Sequence, residues 1–267
     1  MRSRIFTFIL SLLLLASCDM DDTIELDLPS HTPQLAIECY LEPDKQILIS
    51  VLESSSYFDE PAPPLVPDAK VSITHNGRKI DLTYNPTKEG SPSKLYTHTT
   101  DEVVQGNPGD TYTIEVTDGK GRKATGVTRL LPVVPIKAIK WQFNEAGKAL
   151  VTTTIQDNAG SQDYYRFMIH KSTLDKGSDV NIVSSDEFNN GKTIAFNSAY
   201  SYEKGDTLLI SLYHIEKQYY DFFESVAKAK EANGNPFAEP TSIVSSVKGG
   251  LGVFTNLVVD RKQIIIK

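Results

Sequence analysis

Short runs in which apolar and polar residues alternate fill most of the 267-residue chain. Because successive side chains of a strand point to opposite faces, this period of two predicts strands that each bury one face. Asn76-Gly77 and Asp118-Gly119-Lys120-Gly121 stand between two pairs of runs, and both are typical of hairpin turns. In the first half of the chain, the predicted strands are 35–41, 46–52, 69–75, 78–84, 94–100, 111–117 and 122–129.

Seven short strands with this spacing predict an immunoglobulin-like β-sandwich. The segment Leu131-Pro132-Val133-Val134-Pro135 then interrupts the pattern, because two prolines so close together cannot both donate to a strand ladder. We therefore predict an all-β, mainly antiparallel fold with an N-terminal β-sandwich over 34–131 and a second β-rich domain over 132–267. In the second domain, the predicted strands are 138–143, 148–156, 164–171, 192–197, 206–215, 251–259 and 262–266.

One segment of the second domain follows a helical period instead. Apolar residues recur there every three or four positions, which predicts an amphipathic helix near 216–232 that ends before Gly234. We expect its aromatic stripe to pack on the second sheet, and a ligand-binding aromatic box is the alternative. The stripe consists of Tyr219, Phe222, Phe223 and Val226. The last strand, 262–266, is apolar and is expected to pair inside a sheet rather than at an edge.

The N-terminus has the pattern of an export signal. Arg2 and Arg4 precede an apolar tract, residues 5–15, that is too short to span a bilayer. The following Leu15-Ala16-Ser17-Cys18 resembles the lipobox of bacterial lipoproteins, in which the cysteine receives a diacylglycerol. The pattern predicts a signal peptide over 1–17, a lipid anchor on Cys18 and an acidic tether over 18–33. An ordinary signal peptide with a cysteine near its cleavage site is the alternative.

Charge and cysteine content narrow the possible partners. The formal net charge is −7, and loss of Arg2 and Arg4 with the signal peptide leaves −9. This negative charge argues against nucleic acid as a partner, because affinity for nucleic acid depends on Lys and Arg side chains that neutralise phosphates. It also disfavours electrostatic binding to anionic lipids, so we expect the attached lipid alone to provide the membrane contact. With Cys18 acylated, Cys39 has no intramolecular partner, and its place in the alternating LAIECYL predicts a buried, inert side chain.

The sequence lacks the motifs that carry chemistry. It has no HExxH or GxSxG, and its His residues are scattered singly, so we predict no enzyme activity, no metal ligands and no cofactor. The stretch 157–163 offers oxygen ligands and a glycine, but its spacing misses the calcium-loop pattern and predicts a polar hairpin. The glycines after Lys248 are followed by a strand rather than a helix, which excludes a phosphate loop and predicts a bulge or a close backbone approach.

Tyr57 and Phe58 are the candidate contacts with a ligand or partner. They begin the proline-rich connection SSSYFDEPAPPLVP between two predicted strands, where a loop should lie on the surface. Aromatic side chains on a stiff loop lose little entropy when they contact a small molecule, a glycan, a peptide or a protein. The alternative is that both rings pack back over the open end of the sandwich.

The stretch from residue 235 to 254 carries a more specific resemblance. Its closing motif, formed by Asn235, Pro236, Phe237, Gly249, Gly250, Gly252 and Phe254, resembles the end of an outer-membrane lipoprotein family of the Bacteroidota, described as domain of unknown function 4249. Cys18 followed by Ile24-Glu25-Leu26-Asp27-Leu28 resembles the family's beginning. Members are commonly encoded beside TonB-dependent receptors. The resemblance implies a role in nutrient uptake and supplies no catalytic residues, so the closing motif is expected to be structural.

These observations favour a lipid-anchored, surface-exposed protein of the outer membrane that binds or docks as an accessory to a TonB-dependent nutrient transporter. A structural or adhesive surface protein is the first alternative. A hydrolase with an unrecognised site is the second. The sequence leaves the ligand, the receptor, the membrane face and the oligomeric state open.

Overall fold

Most strands bury alternate residues, as the period of two predicts. The first strand shows the rule, since Leu35, Ile37, Cys39 and Leu41 are fully buried and the residues between them are only partly covered. Residues Pro33–Lys267 form one compact unit. The computed structural model describes residues 31–56, 64–89, 93–233 and 241–267.

The described elements, in chain order, are β1 (Leu35–Leu41), β2 (Gln46–Glu53), β3 (Lys70–His75), β4 (Arg78–Glu89), β5 (Lys94–Val103), β6 (Thr111–Thr117), β7 (Lys123–Arg129), β8 (Ile136–Phe143), β9 (Ala149–Gln156), β10 (Tyr164–Lys171), β11 (Val180–Ser185), β12 (Thr193–Asn197), β13 (Thr207–Ile215), α1 (Lys217–Ala232), β14 (Leu251–Asn256) and β15 (Val258–Ile265).

The first half of the chain forms an eight-stranded sheet that curls around one core. Its strand order is β14-β1-β2-β5-β4-β3-β6-β7, and every pair is antiparallel except β1 with β14. The two end strands of this order approach each other, because Thr125 of β7 exchanges backbone hydrogen bonds of 2.9 and 2.8 Å with Lys248, which lies just before β14. The enclosed core takes side chains from both ends of the sheet, including Ile37, Ile114 and Phe254.

The second half forms a two-layer sandwich. A four-stranded sheet, β11-β10-β13-β15, faces a three-stranded sheet, β12-β9-β8. Phe167 of the first sheet stacks on Phe196 of the second, with ring centroids 4.9 Å apart, and both rings are buried in a core that the two sheets share. Two antiparallel sheets packed face to face through alternate side chains are the general plan of a β-sandwich.

A crossing strand and a helix join the two halves. After α1 the chain adds β14 to the first sheet, and after the single residue Leu257 it adds β15 to the sandwich. Tyr219 of α1 packs with Val253 of β14 and Tyr213 of β13 in a third buried cluster. The sheet of the first half is therefore completed by residues from the end of the chain.

The prediction of an all-β, mainly antiparallel fold is confirmed. The segment predicted as a helix near 216–232 is helical from Lys217 to Ala232. At the predicted β3–β4 hairpin, Asn76 and Gly77 have φ angles of 50° and 76°, as a type I′ turn requires. The immunoglobulin-like character of 34–131 and the boundary after residue 131 stay predictions.

Three local predictions were incomplete or wrong. The strand β11 was missed, because its side chains are mostly half-buried or exposed and leave no alternating signal. The run 251–259 divides at Leu257 into two strands of different sheets. The last strand was expected inside a sheet, but β15 is an outer strand of its sheet, and its polar segment from Asp260 to Gln263 suits that position.

The helix of the described part of the chain is not long and apolar enough to cross a membrane. The predicted signal peptide, most of the predicted tether and Gly234 lie outside the described residues.

Candidate functional site

Several residues singled out from the sequence lie outside the described part of the chain. They are Cys18, Tyr57, Phe58, Asn235, Pro236 and Phe237. Lipidation of Cys18 and surface contact by the two aromatic residues therefore stay predictions.

The rest of the closing motif lies in and beside β14, where the backbone packs unusually close to its neighbours. A Cβ atom at Gly252 would lie well inside 3.0 Å of the Ile37 carbonyl oxygen, and its φ of +108° also favours glycine. A Cβ atom at Gly250 would lie 2.6 Å from the Leu35 carbonyl oxygen, and one at Gly249 would meet the backbone of Lys123. Phe254 is fully buried. These residues hold β14 between β1 and β7, and no ligand is needed to explain them.

Glu216, the residue before α1, collects hydrogen bonds from both halves of the molecule. Its carboxylate accepts from the Arg129 backbone N–H at 3.0 Å and from the Asn256 side-chain amide at 3.2 Å. A carboxylate at a helix N-terminus is also favoured by the helix dipole. Glu216 thus fixes the start of α1 to β7 and β14. Its other donors are Thr128, Gln218 and Thr255.

The aromatic stripe of α1 is packed against the protein rather than open as a box. The Arg166 guanidinium lies 5.0 Å from the Phe223 ring centroid and donates a hydrogen bond to the Tyr219 hydroxyl. Tyr40 of β1 meets Tyr219 edge-on, with centroids 5.8 Å apart. Burial, reinforced by the nearby charge of Glu38, raises the pKa of the Tyr40 hydroxyl, so this ring stays neutral in a packed junction.

Cys39 and two histidines are also buried by packing. Burial raises the pKa of the Cys39 thiol, and the side chain is fully covered, in line with the predicted inert role. Burial lowers the pKa of His98, whose Nε2 lies 3.1 Å from the Ala69 carbonyl oxygen. Burial also lowers the pKa of His170.

Three aspartates meet at one end of the C-terminal sandwich. Asp157 follows β9, Asp163 precedes β10 and Asp186 follows β11. Antiparallel pairing of β10 with β11 brings Asp163 and Asp186 together, and the short β9–β10 loop adds Asp157. One carboxylate oxygen from each lies within 4.8 Å of the other two. The residues are 4%, 7% and 0% exposed, respectively. We call these residues the aspartate cluster.

The three carboxylates differ in their partners. Asp157 accepts hydrogen bonds from the Tyr165 hydroxyl and, at 2.7 Å, from the Gly191 backbone N–H. Asp163 accepts one from the Ser161 hydroxyl at 2.9 Å, and its other oxygen lies 3.2 Å from His214 Nε2. Neither carboxylate oxygen of Asp186 has a hydrogen-bond partner within the described structure. A set of oxygen donors of this kind suits a hard cation rather than a nucleophilic reaction.

The loop between β11 and β12 contributes Asp186 to the cluster, donates the Gly191 N–H to Asp157 and carries an exposed aromatic ring. Phe188 is 83% exposed, the largest exposure among the large hydrophobic side chains of the described residues. The loop is held at both ends, because the Asp186 N–H donates to the Asp163 carbonyl and the Asp157 N–H donates to the Lys192 carbonyl, each at 3.0 Å. This end of the sandwich therefore combines buried charge with an exposed apolar contact.

Sequence reasoning found only part of this site. The stretch 157–163 was noticed for its oxygen atoms and interpreted as a polar hairpin, and no metal ligands were predicted. The site was missed because β11 was not predicted. An aspartate directly after that strand lies at the same end of the sheet as residues 157–163. A correct prediction of β11 would have identified Asp186 as a candidate ligand, whereas the spacing of acidic residues along the chain does not.

The comparisons place the chain in a family. A family model described as Domain of unknown function (DUF4249) matches residues 21–263. The chain belongs to the DUF4249 family. This description assigns no activity, and no curated protein matches the sequence.

Solved structures give only weak likenesses to this DUF4249 chain. A cytokine receptor complex is 9% identical with a TM-score of 0.27, over 85% of this chain and 94% of that chain. Dimeric latent PorU from Porphyromonas gingivalis is 12% identical with a TM-score of 0.22, over 88% of this chain and 20% of that chain. Scores this low carry no argument about fold or function.

Proposed function

We propose that this DUF4249 protein is a lipid-anchored, surface-exposed protein of the bacterial outer membrane that docks as a non-catalytic accessory onto a TonB-dependent nutrient receptor. The lipobox-like stretch ending at Cys18 supports the anchor, and the family's resemblance to lipoproteins of the Bacteroidota supports the cellular context. An acidic chain gains little binding energy from the anionic lipids of a membrane, so the lipid attached to Cys18 supplies the membrane contact.

Phe188 is the observation that carries the docking role. Large aromatic side chains supply much of the binding energy at protein interfaces, and covering one gains about 1.5–3 kcal/mol relative to leaving it exposed. Phe188 is 83% exposed. Its loop is already ordered by backbone hydrogen bonds, so little further entropy is lost on binding. Tyr57 and Phe58 stay predicted contacts in the same proposal.

The rigid connection between the two halves supports docking through a fixed surface. Domains move relative to one another by default unless their interface is large and apolar. Here strand β14 from the second half completes the sheet of the first half, and the interface contains the buried cluster around Tyr219 of α1 and the Glu216 hydrogen bonds. A partner therefore meets a preformed surface, as most docking proteins offer.

The test is a mild-detergent pull-down of the native lipoprotein from outer membranes, read by mass spectrometry. We expect stoichiometric recovery of a TonB-dependent receptor with the wild-type chain, and loss of that receptor with Phe188→Asp. The matched control is Leu174→Asp, an apolar position that is 40% exposed on the loop at the other end of β10 and β11. Cys18→Ala should leave the membrane fraction.

Two results would count against the proposal. Recovery of the anchored protein by itself and at high yield would remove the receptor as a partner. Equal recovery of the receptor with Phe188→Asp and Leu174→Asp would show that docking does not use the β11–β12 loop.

A further inference from the structure

We infer that Asp157, Asp163 and Asp186 bind one Ca²⁺ ion and that this ion ties together the two loops at that end of the sandwich. The inference concerns a metal site and stands whether or not the protein docks onto a receptor. It rests on three observations, which are the charge of the cluster, its spacing and the hydrogen bonds around it.

Protein groups can balance at most one of the three negative charges of the cluster. Within the described structure, the ion-pair partner of these carboxylates is His214, which faces Asp163, and no Lys or Arg pairs with them. Bringing carboxylates out of water costs several kcal/mol for each ion unless a partner compensates. Asp186 is fully buried and both of its oxygens lack a hydrogen-bond partner there. Buried orphan acceptors are rare in folded proteins, and a cation at this point would satisfy both.

The spacing of the oxygens suits a single ion. Ca²⁺ holds oxygen ligands at about 2.3–2.6 Å, so two ligands on opposite sides of the ion are about 4.6–5.2 Å apart. One oxygen of each aspartate lies within 4.8 Å of the others. All three can therefore contact one Ca²⁺ without a large movement of the backbone.

The outer groups hold the ligands in place. Metal-bound carboxylates are usually hydrogen-bonded in turn, which fixes their orientation. Asp157 accepts hydrogen bonds from the Tyr165 hydroxyl and the Gly191 N–H, and Asp163 accepts one from the Ser161 hydroxyl. His214 Nδ1 lies 2.8 Å from the Pro132 carbonyl oxygen, so this nitrogen carries a hydrogen and the ring is held beside Asp163.

The ligand chemistry selects Ca²⁺ among common metals. The cluster offers carboxylate oxygens without Cys, whereas zinc sites favour Cys and His. Mg²⁺ demands near-ideal octahedral geometry and keeps several waters, while Ca²⁺ accepts irregular sets of carboxylate and backbone carbonyl oxygens from loops. The site is built from the ends of three strands and is nine-tenths or more buried, which suits Ca²⁺.

Binding would also stabilise the position of the loop that carries Phe188. The Asp186 backbone N–H donates to the Asp163 carbonyl at 3.0 Å, and the Gly191 N–H donates to the Asp157 carboxylate. The β9–β10 and β11–β12 loops are thus already in contact, and an ion between them would add three bonds to the same junction. Removal of the ion should loosen both loops.

The test uses full-length Cys18→Ala protein, stripped with EDTA and titrated with CaCl₂ or MgCl₂ by isothermal titration calorimetry and thermal melting. We expect one Ca²⁺ per chain and a melting temperature about 5–10 °C higher when Ca²⁺ is about 100-fold above its Kd. Asp186→Asn should weaken binding at least tenfold and abolish the shift. Asp175→Asn, which removes the same charge from an exposed loop at the opposite end, should respond like the parent protein.

One further result separates a metal site from a purely structural cluster. In EDTA, Asp186→Asn should melt at or above the parent protein, because the change removes one uncompensated buried charge and keeps the shape of the side chain. If this variant does not fold, Asp157→Asn takes its place. Tb³⁺ offers a second measurement, since Tyr165 beside Asp157 should sensitise its luminescence and Ca²⁺ should compete the signal away.

Three outcomes would overturn the inference. The first is no heat and no change in melting temperature up to about 10 mM CaCl₂, above the range of extracellular calcium sites. The second is an equal response to MgCl₂ at the same concentration. The third is a Ca²⁺ response that survives unchanged in Asp186→Asn.

Discussion

Replacing Gly252 with alanine tests the close packing of β14 against β1. The backbone of Gly252 has a φ of +108°, and a Cβ atom there would lie well inside 3.0 Å of the Ile37 carbonyl oxygen. The obstacle is backbone rather than the end of a flexible side chain, so the strand itself must move. Gly252→Ala should therefore destabilise the whole protein.

The size of the effect follows from two contributions. A left-handed backbone conformation costs a residue with a Cβ atom about 1–2 kcal/mol. Moving β14 away from Ile37 weakens the parallel pairing that runs from Ala36–Leu251 to Leu41–Asn256. Loss of about two hydrogen bonds adds about 1–3 kcal/mol. A total of about 3 kcal/mol corresponds to a fall in Tm of about 6–12 °C for a chain of this size.

The assay is thermal and urea unfolding of Cys18→Ala protein with and without the second change. Gly177→Ala is the matched control, because no atom lies within 4 Å of the Cβ position and its φ is not in the left-handed region. This control should stay within about 0.5 kcal/mol of the parent protein. If Gly252→Ala melts within about 2 °C of the parent, the close approach of β14 to β1 is not a constraint on the fold, and the structural explanation of the closing motif is wrong.

Two further predictions concern buried groups. Burial raises the pKa of the Cys39 thiol and keeps it from reagents. In Cys18→Ala protein, a thiol reagent should therefore leave Cys39 unmodified until guanidinium unfolds the chain. Rapid labelling of the native protein would contradict this prediction. Burial raises the pKa of Asp118, but hydrogen bonds from the Arg122 side chain and backbone outweigh it and hold the pKa below its usual range. The stabilisation that the ionised Asp118 contributes should be complete above the pKa of the unfolded state, about 4, and should disappear as the pH falls through the pKa of the folded state. Melting curves should thus show Asp118→Asn most destabilised at pH 7 and closest to the parent at pH 3, whereas a constant difference would exclude the ion pair.

The strands of the first half were predictable because each carries its own signal. β1 and β6 were placed to the residue, since alternate residues of each are buried and polar residues bound them. β4 runs to Glu89, five residues further than predicted, because no residue after Leu82 is buried and the alternating signal stops there. In the structure Pro86 lies where the β4–β5 register shifts, which is a position where a sheet tolerates proline.

The partner of β14 was not predictable from the sequence. The glycines before and within it indicated a bulge or a close backbone approach, but the sequence of a strand does not show which distant strand it will pair with. Here the partner is β1, more than two hundred positions earlier along the chain. The aspartate cluster was missed for a related reason, because Asp186 joins Asp157 and Asp163 only through the pairing of β10 with β11.

The path of the chain after α1 limits the ways in which the protein can bind a partner. After α1 the chain completes the first sheet with β14 and then returns through Leu257 to complete the sandwich with β15. The buried cluster around Tyr219 takes side chains from both halves, so a hinge between the halves would have to break that packing. Binding by closure of two lobes is thus disfavoured, and contact must come from loops on a fixed frame. His214 links the aspartate cluster to this frame, since its ring lies between Asp163 and the Pro132 carbonyl of the connecting segment. A cation at the cluster would therefore act on the position of the Phe188 loop and leave the angle between the halves unchanged.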